Sequence, residues 1–195
     1  MLLIIEDTLR HQMAAKTQFP EAKVVNYDEA YKILEQAQPG EISAILTDLH
    51  FKVEVNRIIP SAGFYYPENL EAIGKQLPFG LAFVLKGIEL QTPVVLYSDT
   101  DHHSDLVTGL MDMFGRNDQI SDPKFLLLRD GGCEMAKDMY WDGKGIVCEE
   151  LPSCAGGSHE IWEQYHEKMK GKEKVKDWRH ALNQLSELTQ KSAPA

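Results

Sequence analysis

Five short apolar runs recur within roughly the first 130 residues and limit the folds that this chain can adopt. They are Leu2–Ile5, Lys23–Val25, Ile42–Leu46, Val94–Tyr97 and Phe125–Leu128. Most of the runs are continuous rather than alternating, which is typical of strands buried on both faces of a parallel sheet. The sequence therefore predicts a parallel sheet that is covered by helices on both sides.

Segments with the apolar spacing of a helix separate these runs. The first segment is Thr8–Gln18, and Asp28 is a candidate N-cap for a second segment over residues 30–37. Two further segments lie at Leu81–Ile88 and Val107–Phe114. Because alternating strands and helices give right-handed crossovers, we predict a doubly wound α/β domain with a five-stranded parallel sheet.

The connection over residues 51–78 is far longer than the usual loop of about 2–6 residues. We predict a long insert after strand 3, serving as a functional lid, as a partner surface or as a neutral surface elaboration. After residue 130 several glycines indicate a loop-rich stretch, and from about Ser158 the chain is predicted to be helical. The expected organisation is a domain over 1–130, followed by a segment over 131–195 that ends in a C-terminal helical extension.

Charge and cysteine content narrow the classes of function. The formal net charge is −10, which argues against a broad nucleic-acid-binding face as the main function but leaves a local basic patch open. The three cysteines are odd in number and fall in one late stretch, which favours a reducing compartment. The first residues carry no basic leader, and their apolar run is too short to span a membrane. We therefore expect a cytoplasmic protein with no membrane partner.

Three acidic residues lie where predicted strands end. Glu6 and Asp7 follow the first run, and Asp48 follows the third with one residue between. Ligands of open α/β sheets bind beyond the carboxyl ends of the strands, so the three carboxylates converge if the first and third strands are neighbours. A hard cation such as Mg²⁺ would relieve their repulsion. Each acid could instead cap the helix that follows it.

An ionised Asp48 beside such a cation could attack phosphorus and form an aspartyl phosphate. Ser98, at the end of the fourth strand, could donate a hydrogen bond to a phosphoryl oxygen. Arg129, at the end of the fifth strand, could supply positive charge, or it could pair with an acid on the surface. The predicted chemistry of the site is thus phosphoryl transfer to a carboxylate.

These motifs resemble the receiver domain of bacterial two-component response regulators, which has a flavodoxin-like fold. The segment LLIIED resembles the family's first strand and acidic pair, AILTDLH its third strand with the phosphoacceptor, and PVVLYSD its fourth strand with the Ser or Thr. The resemblance covers roughly residues 1–130 and implies the strand order 2-1-3-4-5. It departs from the family at the end of the fifth strand, where the family has a lysine and this chain has Arg129.

The resemblance also implies a function. Glu6, Asp7, Asp48 and the main-chain carbonyl of His50 would bind Mg²⁺. Asp48 would accept a phosphoryl group from a histidine kinase, and Ser98 would sense that group. We therefore expect an atypical response-regulator receiver that acts in phosphorelay signal transduction through a protein partner, rather than a turnover enzyme. Its C-terminal helices would carry output or form a homodimer.

Two alternatives stay open. A pseudo-receiver adaptor would bind a partner without metal or phosphoryl chemistry, which the replacement of the family's lysine by Arg129 and of a small residue by Asp99 favours. A Mg²⁺-dependent phosphohydrolase on a similar fold would use the insert as a substrate cap. That class usually places an acid two residues after a nucleophilic Asp on the first strand, whereas Asp7 is followed by Thr8 and Leu9.

Overall fold

A computed structural model describes residues 1–51, 79–98, 125–129, 137–142, 144–150 and 159–191 of the chain. In chain order the elements are β1 (Leu2–Ile5), α1 (Leu9–Gln18), β2 (Lys23–Val25), α2 (Tyr27–Gln36), β3 (Ala44–Asp48), α3 (Gly80–Glu89), β4 (Val94–Ser98), β5 (Phe125–Arg129), β6 (Lys137–Trp141), β7 (Ile146–Glu150), α4 (His159–Met169), β8 (Glu173–Val175) and α5 (Trp178–Lys191). The helix predicted over Val107–Phe114 and the insert beyond Phe51 lie outside the described residues.

The first five strands form one parallel sheet in the order β2-β1-β3-β4-β5. The predicted order of the first four strands is confirmed, and β5 pairs in parallel with β4. The third strand begins two residues later than predicted, at Ala44 instead of Ile42. Its pairing with β1 runs from Leu2 opposite Ala44 to Ile5 opposite Thr47, so Asp48 is the last residue of the strand rather than part of the following loop.

Helices cover both faces of this sheet, as expected for a doubly wound fold. On one face, residues of α2 and α3 pack against β1, β3 and β4 through Leu34, Phe83, Ile45 and Leu96. On the other face, the side chains of α1 and α5 pack against the alternate residues of the same strands. Alternation along each strand therefore divides the core between the two helical layers.

The second helix is capped by Asn26, so the prediction of Asp28 as N-cap is wrong. Asn26 has an extended backbone, with φ of −82° and ψ of 178°, and its side chain accepts a hydrogen bond from the Glu29 amide. Asp28 lies inside the first turn, where a carboxylate is favoured by the positive end of the helix dipole. Asp28 thus marks the start of the helix, but the capping residue lies two positions before it.

Beyond the parallel sheet, three strands form an antiparallel sheet in the order β7-β6-β8. The loop-rich stretch expected there is wrong for residues 137–141 and 146–150, which are β6 and β7. The turn between them is held by the Asp142 carboxylate, which accepts hydrogen bonds of 2.9 Å from the amides of Lys144 and Gly145. These bonds lower the pKa of Asp142. Gly145, one of the glycines that suggested a loop, thus belongs to a hairpin connection.

A buried polar network joins α4 to this smaller sheet. The hydroxyls of Tyr140 and Tyr165 each lie 3.1 Å from Asp138 Oδ2, and the Lys174 ammonium lies 2.7 Å from Asp138 Oδ1. Burial, followed by the hydrogen bond to Tyr140, raises the pKa of Tyr165 far above its ordinary value. Burial likewise raises the pKa of Tyr140. Both tyrosines therefore stay protonated and act as hydrogen-bond donors across the physiological range.

The predicted C-terminal helical pattern forms two helices, with β8 between them. Gly171 lies in the connection after α4. Its φ of +81° is a backbone conformation that glycine adopts at little cost. The side of α5 that carries Trp178, Ala181 and Leu185 is buried on the parallel sheet. A homodimer through the C-terminal helices stays a prediction and would have to use other faces of α5. None of the described helices is both long and apolar enough to cross a membrane.

Candidate functional site

A buried lysine lies between two of the predicted acidic residues at the carboxyl end of the parallel sheet. The Lys176 ammonium nitrogen is 2.8 Å from Glu6 Oε2 and 2.7 Å from Asp48 Oδ1. Lys176 and Glu6 are fully buried, and the Asp48 side chain is only 7% exposed. Glu6 and Asp48 therefore converge as the sequence predicts, but they meet around a lysine that the sequence analysis did not identify.

Two aromatic rings flank the ammonium group. Lys176 Nζ lies 5.4 Å from the ring centroid of Trp178 and 5.8 Å from that of Tyr97. The two rings meet edge to face, with centroids 5.4 Å apart. Aromatic faces attract a cation, and the rings keep water away from this ion pair. The charges of the Lys176 triad (Lys176, Glu6 and Asp48) thus interact in a dry environment, where each is felt strongly.

Hydrogen bonds from the backbone orient both carboxylates. Glu6 Oε1 accepts from the Thr8 amide at 2.8 Å, so that both of its oxygens are engaged. Asp48 Oδ1 accepts from the Leu49 amide at 2.7 Å in addition to its contact with Lys176. Each carboxylate is thus held by a main-chain donor in a fixed orientation toward the Lys176 ammonium.

Asp7 occupies a different environment from the two buried acids. Its Oδ1 accepts a hydrogen bond of 3.0 Å from the amide of Tyr27, the first residue of α2, and its side chain is partly exposed. Asp7 therefore binds the N-terminus of α2, not that of α1, the helix that follows it and that the alternative prediction had it cap. Within the described ranges, no three His, Cys, Asp or Glu side chains are grouped so that they could hold a metal ion.

The remaining predicted residues lie at the same edge of the sheet. Ser98 is fully buried at the end of β4, one residue beyond the position that pairs with Asp48. His50 follows β3 and is also buried. Arg129 pairs with Ser98 in the β4–β5 register, but its side chain lies outside what the structure describes. The backbone therefore brings Asp48, Ser98 and Arg129 to neighbouring strand ends.

The cation that contacts Glu6 and Asp48 comes from the segment just before α5. Lys176 lies between β8 and α5, far along the chain from the fifth strand, where a sequence comparison strand by strand would not look for it. Two local signals could have identified it: the apolar neighbours Val175 and Trp178, and Asp177, which caps α5 by accepting from the His180 amide. A lysine between such residues lies where the chain enters a helix with a buried side, and a lysine that is buried there needs a partner of opposite charge.

A glycine lets α3 begin in direct contact with the strand end that carries Asp48. The Gly80 amide donates to the Leu49 carbonyl at 2.9 Å. A Cβ on Gly80 would overlap the Asp48 carbonyl oxygen and would lie 2.7 Å from Leu96 Cδ1. The absence of a side chain at this position therefore fixes how closely α3 approaches the site.

We expect Gly80→Ala to lower the free energy of unfolding by about 1–3 kcal/mol, because α3 and the Asp48 backbone must move apart. Chemical denaturation measures this change. Gly145→Ala is the matched control, since a Cβ there has no neighbour within 4 Å, and it should alter stability by less than about 0.5 kcal/mol. Equal effects of the two substitutions would show that the close approach at Gly80 does not matter.

Comparison with protein-family models, curated proteins and solved structures gave no match to this chain.

Proposed function

We propose that this chain is an atypical receiver that takes part in phosphorelay signalling by accepting a phosphoryl group on Asp48. The observation that carries the proposal is the contact of 2.7 Å between Lys176 Nζ and Asp48 Oδ1. A phosphoryl group on aspartate brings additional negative charge, and a buried ammonium at the acceptor oxygen offers a fixed charge to receive it. Lys176 thus supplies the cation that the resemblance to receivers requires and that their fifth strand normally carries.

The charges of the site fit a divalent cation. Glu6 and Asp48 meet around Lys176, and Asp7 follows Glu6 in sequence, so three formal negative charges at this edge of the sheet stand against the single positive charge of Lys176. Carboxylates and a main-chain carbonyl are ligands that Mg²⁺ accepts. Asp7, Asp48 and the carbonyl of His50 would hold it, whereas Glu6, with both oxygens engaged, mainly orients Lys176. When bound, Mg²⁺ would neutralise charge on the transferring phosphoryl group.

The reaction requires few protein groups. A carboxylate oxygen of Asp48 attacks the phosphorus of an N-phosphorylated histidine on a partner kinase. The P–N bond breaks, its electron pair stays on the donor nitrogen, and that nitrogen takes up a proton from solvent. Ser98 donates its hydroxyl to a phosphoryl oxygen, Lys176 pairs with the new negative charge, and Arg129 adds positive charge at the neighbouring strand end.

One observation favours a second candidate, the pseudo-receiver adaptor. The Lys176 triad already pairs Asp48 with a cation, and a closed ion pair of this kind can hold a fold together without any chemistry. In such an adaptor the triad would only attach the start of α5 to the sheet. The two candidates differ in whether a phosphoryl mimic displaces part of this network.

Beryllofluoride, which mimics an aspartyl phosphate, distinguishes the two candidates. We expect the wild-type chain to bind it saturably in the presence of Mg²⁺ and not in its absence, as followed by fluorine NMR and calorimetry. Asp48→Asn should abolish this binding, because an amide cannot form the bond to beryllium. Treatment with phosphoramidate should likewise add one phosphoryl group to the wild type and none to the variant, which intact-protein mass spectrometry detects.

Asp142→Asn is the matched control, because Asp142 lies exposed in the β6–β7 turn and an amide can still accept its two backbone hydrogen bonds. It should bind beryllofluoride as the wild type does. If neither the wild type nor this control binds beryllofluoride with Mg²⁺, phosphoacceptor function is refuted and the adaptor remains.

A further inference from the structure

We propose that His11 and Gln18, two buried side chains of α1, are positioning residues that set the location of the Lys176 ammonium. This inference rests on the proposed function, since the ammonium matters for phosphoryl binding. Both residues lie far from Lys176 in sequence and are at most 5% exposed. Each does more than pack against its neighbours, because each forms a hydrogen bond with the backbone of Lys176.

His11 holds the amide of Lys176. Its Nδ1 accepts a hydrogen bond of 3.2 Å from that amide, which requires an unprotonated Nδ1. The main-chain carbonyl of His11 also accepts from the indole nitrogen of Trp178 at 3.3 Å. One residue of α1 therefore holds the Lys176 backbone and the Trp178 side chain at the point where the chain turns into α5.

Gln18 holds the carbonyl of Lys176. Its side-chain nitrogen donates to that carbonyl at 3.0 Å, while its side-chain oxygen accepts from the Arg179 amide at 2.9 Å. The Arg179 guanidinium in turn donates to the Gln18 carbonyl, with its Nη2 at 3.1 Å. Both backbone hydrogen-bonding groups of Lys176 are thus bound by side chains of α1, in what we call the α1 clamp (His11 and Gln18).

The helix that carries the α1 clamp also contacts one of the two acids that pair with Lys176. The helix α1 begins just after Glu6 and Asp7, and the Gln12 side chain donates to the Glu6 carbonyl at 2.6 Å. A lysine side chain is flexible, and holding it in one geometry costs conformational entropy. With its backbone bound by α1 and its ammonium near two carboxylates, Lys176 meets an incoming phosphoryl group already in place. The clamp therefore acts on affinity through pre-organisation.

The test compares His11→Leu with His11→Asn in the full chain. The asparagine oxygen can replace Nδ1 as acceptor, whereas leucine cannot. At saturating Mg²⁺ we expect His11→Leu to weaken beryllofluoride binding roughly tenfold to a hundredfold and His11→Asn to stay within about threefold of wild type. Affinity for Mg²⁺ alone should change less than affinity for beryllofluoride, because Asp48 is the one proposed Mg²⁺ ligand for which a contact with Lys176 is described. Thr17→Ala, which removes an exposed hydroxyl of the same helix, is the control.

A second measurement separates this inference from the proposed function. The nitrogen NMR signal of the Lys176 ammonium reports its environment without any ligand, and we expect it to move in His11→Leu and to be restored in His11→Asn. If the wild type does not bind beryllofluoride, the proposed function fails and this signal alone decides about the clamp. If His11→Leu lowers only thermal stability, with the affinity and the Lys176 signal unchanged, the positioning role is overturned.

Discussion

Lys176→Met is expected to lower the free energy of unfolding by about 3–5 kcal/mol and to abolish beryllofluoride binding. Methionine keeps most of the apolar stem but removes the charge, which leaves the buried carboxylates of Glu6 and Asp48 without their shared ammonium. Removing one partner of a buried ion pair costs this much because the remaining charge is desolvated and uncompensated. Urea denaturation at neutral pH measures the loss, and fluorine NMR measures the binding.

Lys86→Met is the matched control for this substitution. Lys86 also forms an ion pair of 2.8 Å, with Glu89, but the pair lies on the outer side of α3 with 28% and 66% of the two side chains exposed. An exposed pair of this kind contributes about 0–1 kcal/mol. A comparable loss in both variants would mean that the burial of the Lys176 triad adds nothing to its energy.

Trp178→Ala is expected to destabilise the chain by about 3–5 kcal/mol, the range for a large aromatic residue lost from a core. Trp178 is fully buried, meets the Tyr97 ring edge to face and donates to the His11 carbonyl. Its loss opens a cavity between α5 and the parallel sheet, next to Lys176. We also expect weaker beryllofluoride binding by the folded variant, because the ammonium loses one of its flanking rings.

Trp162→Ala provides the comparison, since Trp162 lies partly exposed on α4 and packs beside Tyr140 and Tyr165, away from the parallel sheet. We expect a loss of less than about 2 kcal/mol and unchanged beryllofluoride binding. Thermal unfolding followed by circular dichroism compares the two variants. Equal losses, or a normal affinity in Trp178→Ala, would contradict the view that the start of α5 belongs to the site.

Local sequence patterns were sufficient to predict the parallel sheet and the positions of Glu6 and Asp48 at its strand ends. Continuous apolar runs mark strands buried on both faces, and an acid directly after such a run lies at a strand end whatever the details of packing. This is why Glu6 and Asp48 could be placed together before any coordinates were known. The start of β3 was predicted two residues too early because the apolar run begins before the strand does: Ile42 is buried in the loop that precedes β3.

Contacts between distant segments could not be predicted in the same way. Lys176 reaches Glu6 across 170 positions of the chain, and no periodicity within either segment encodes that meeting. The strands β6 and β7 were missed for a related reason. Each is only five residues long, and its own preference for an extended conformation is weak because strand formation depends largely on the neighbours in the sheet.

During synthesis on the ribosome, Lys176 is added to the chain long after the two acids that it contacts. Strands β1 to β4 and both buried acids of the triad precede Lys176, the two acids by more than 120 positions of the chain. While the ribosome is still making the intervening part, the nascent chain can collapse its apolar runs but has no ammonium to place between Glu6 and Asp48. Contacts of such high sequence separation form slowly because the closure of a long loop precedes them. The Lys176 triad therefore forms only when translation has passed the start of α5, so that an incomplete chain lacks the ammonium beside Glu6 and Asp48.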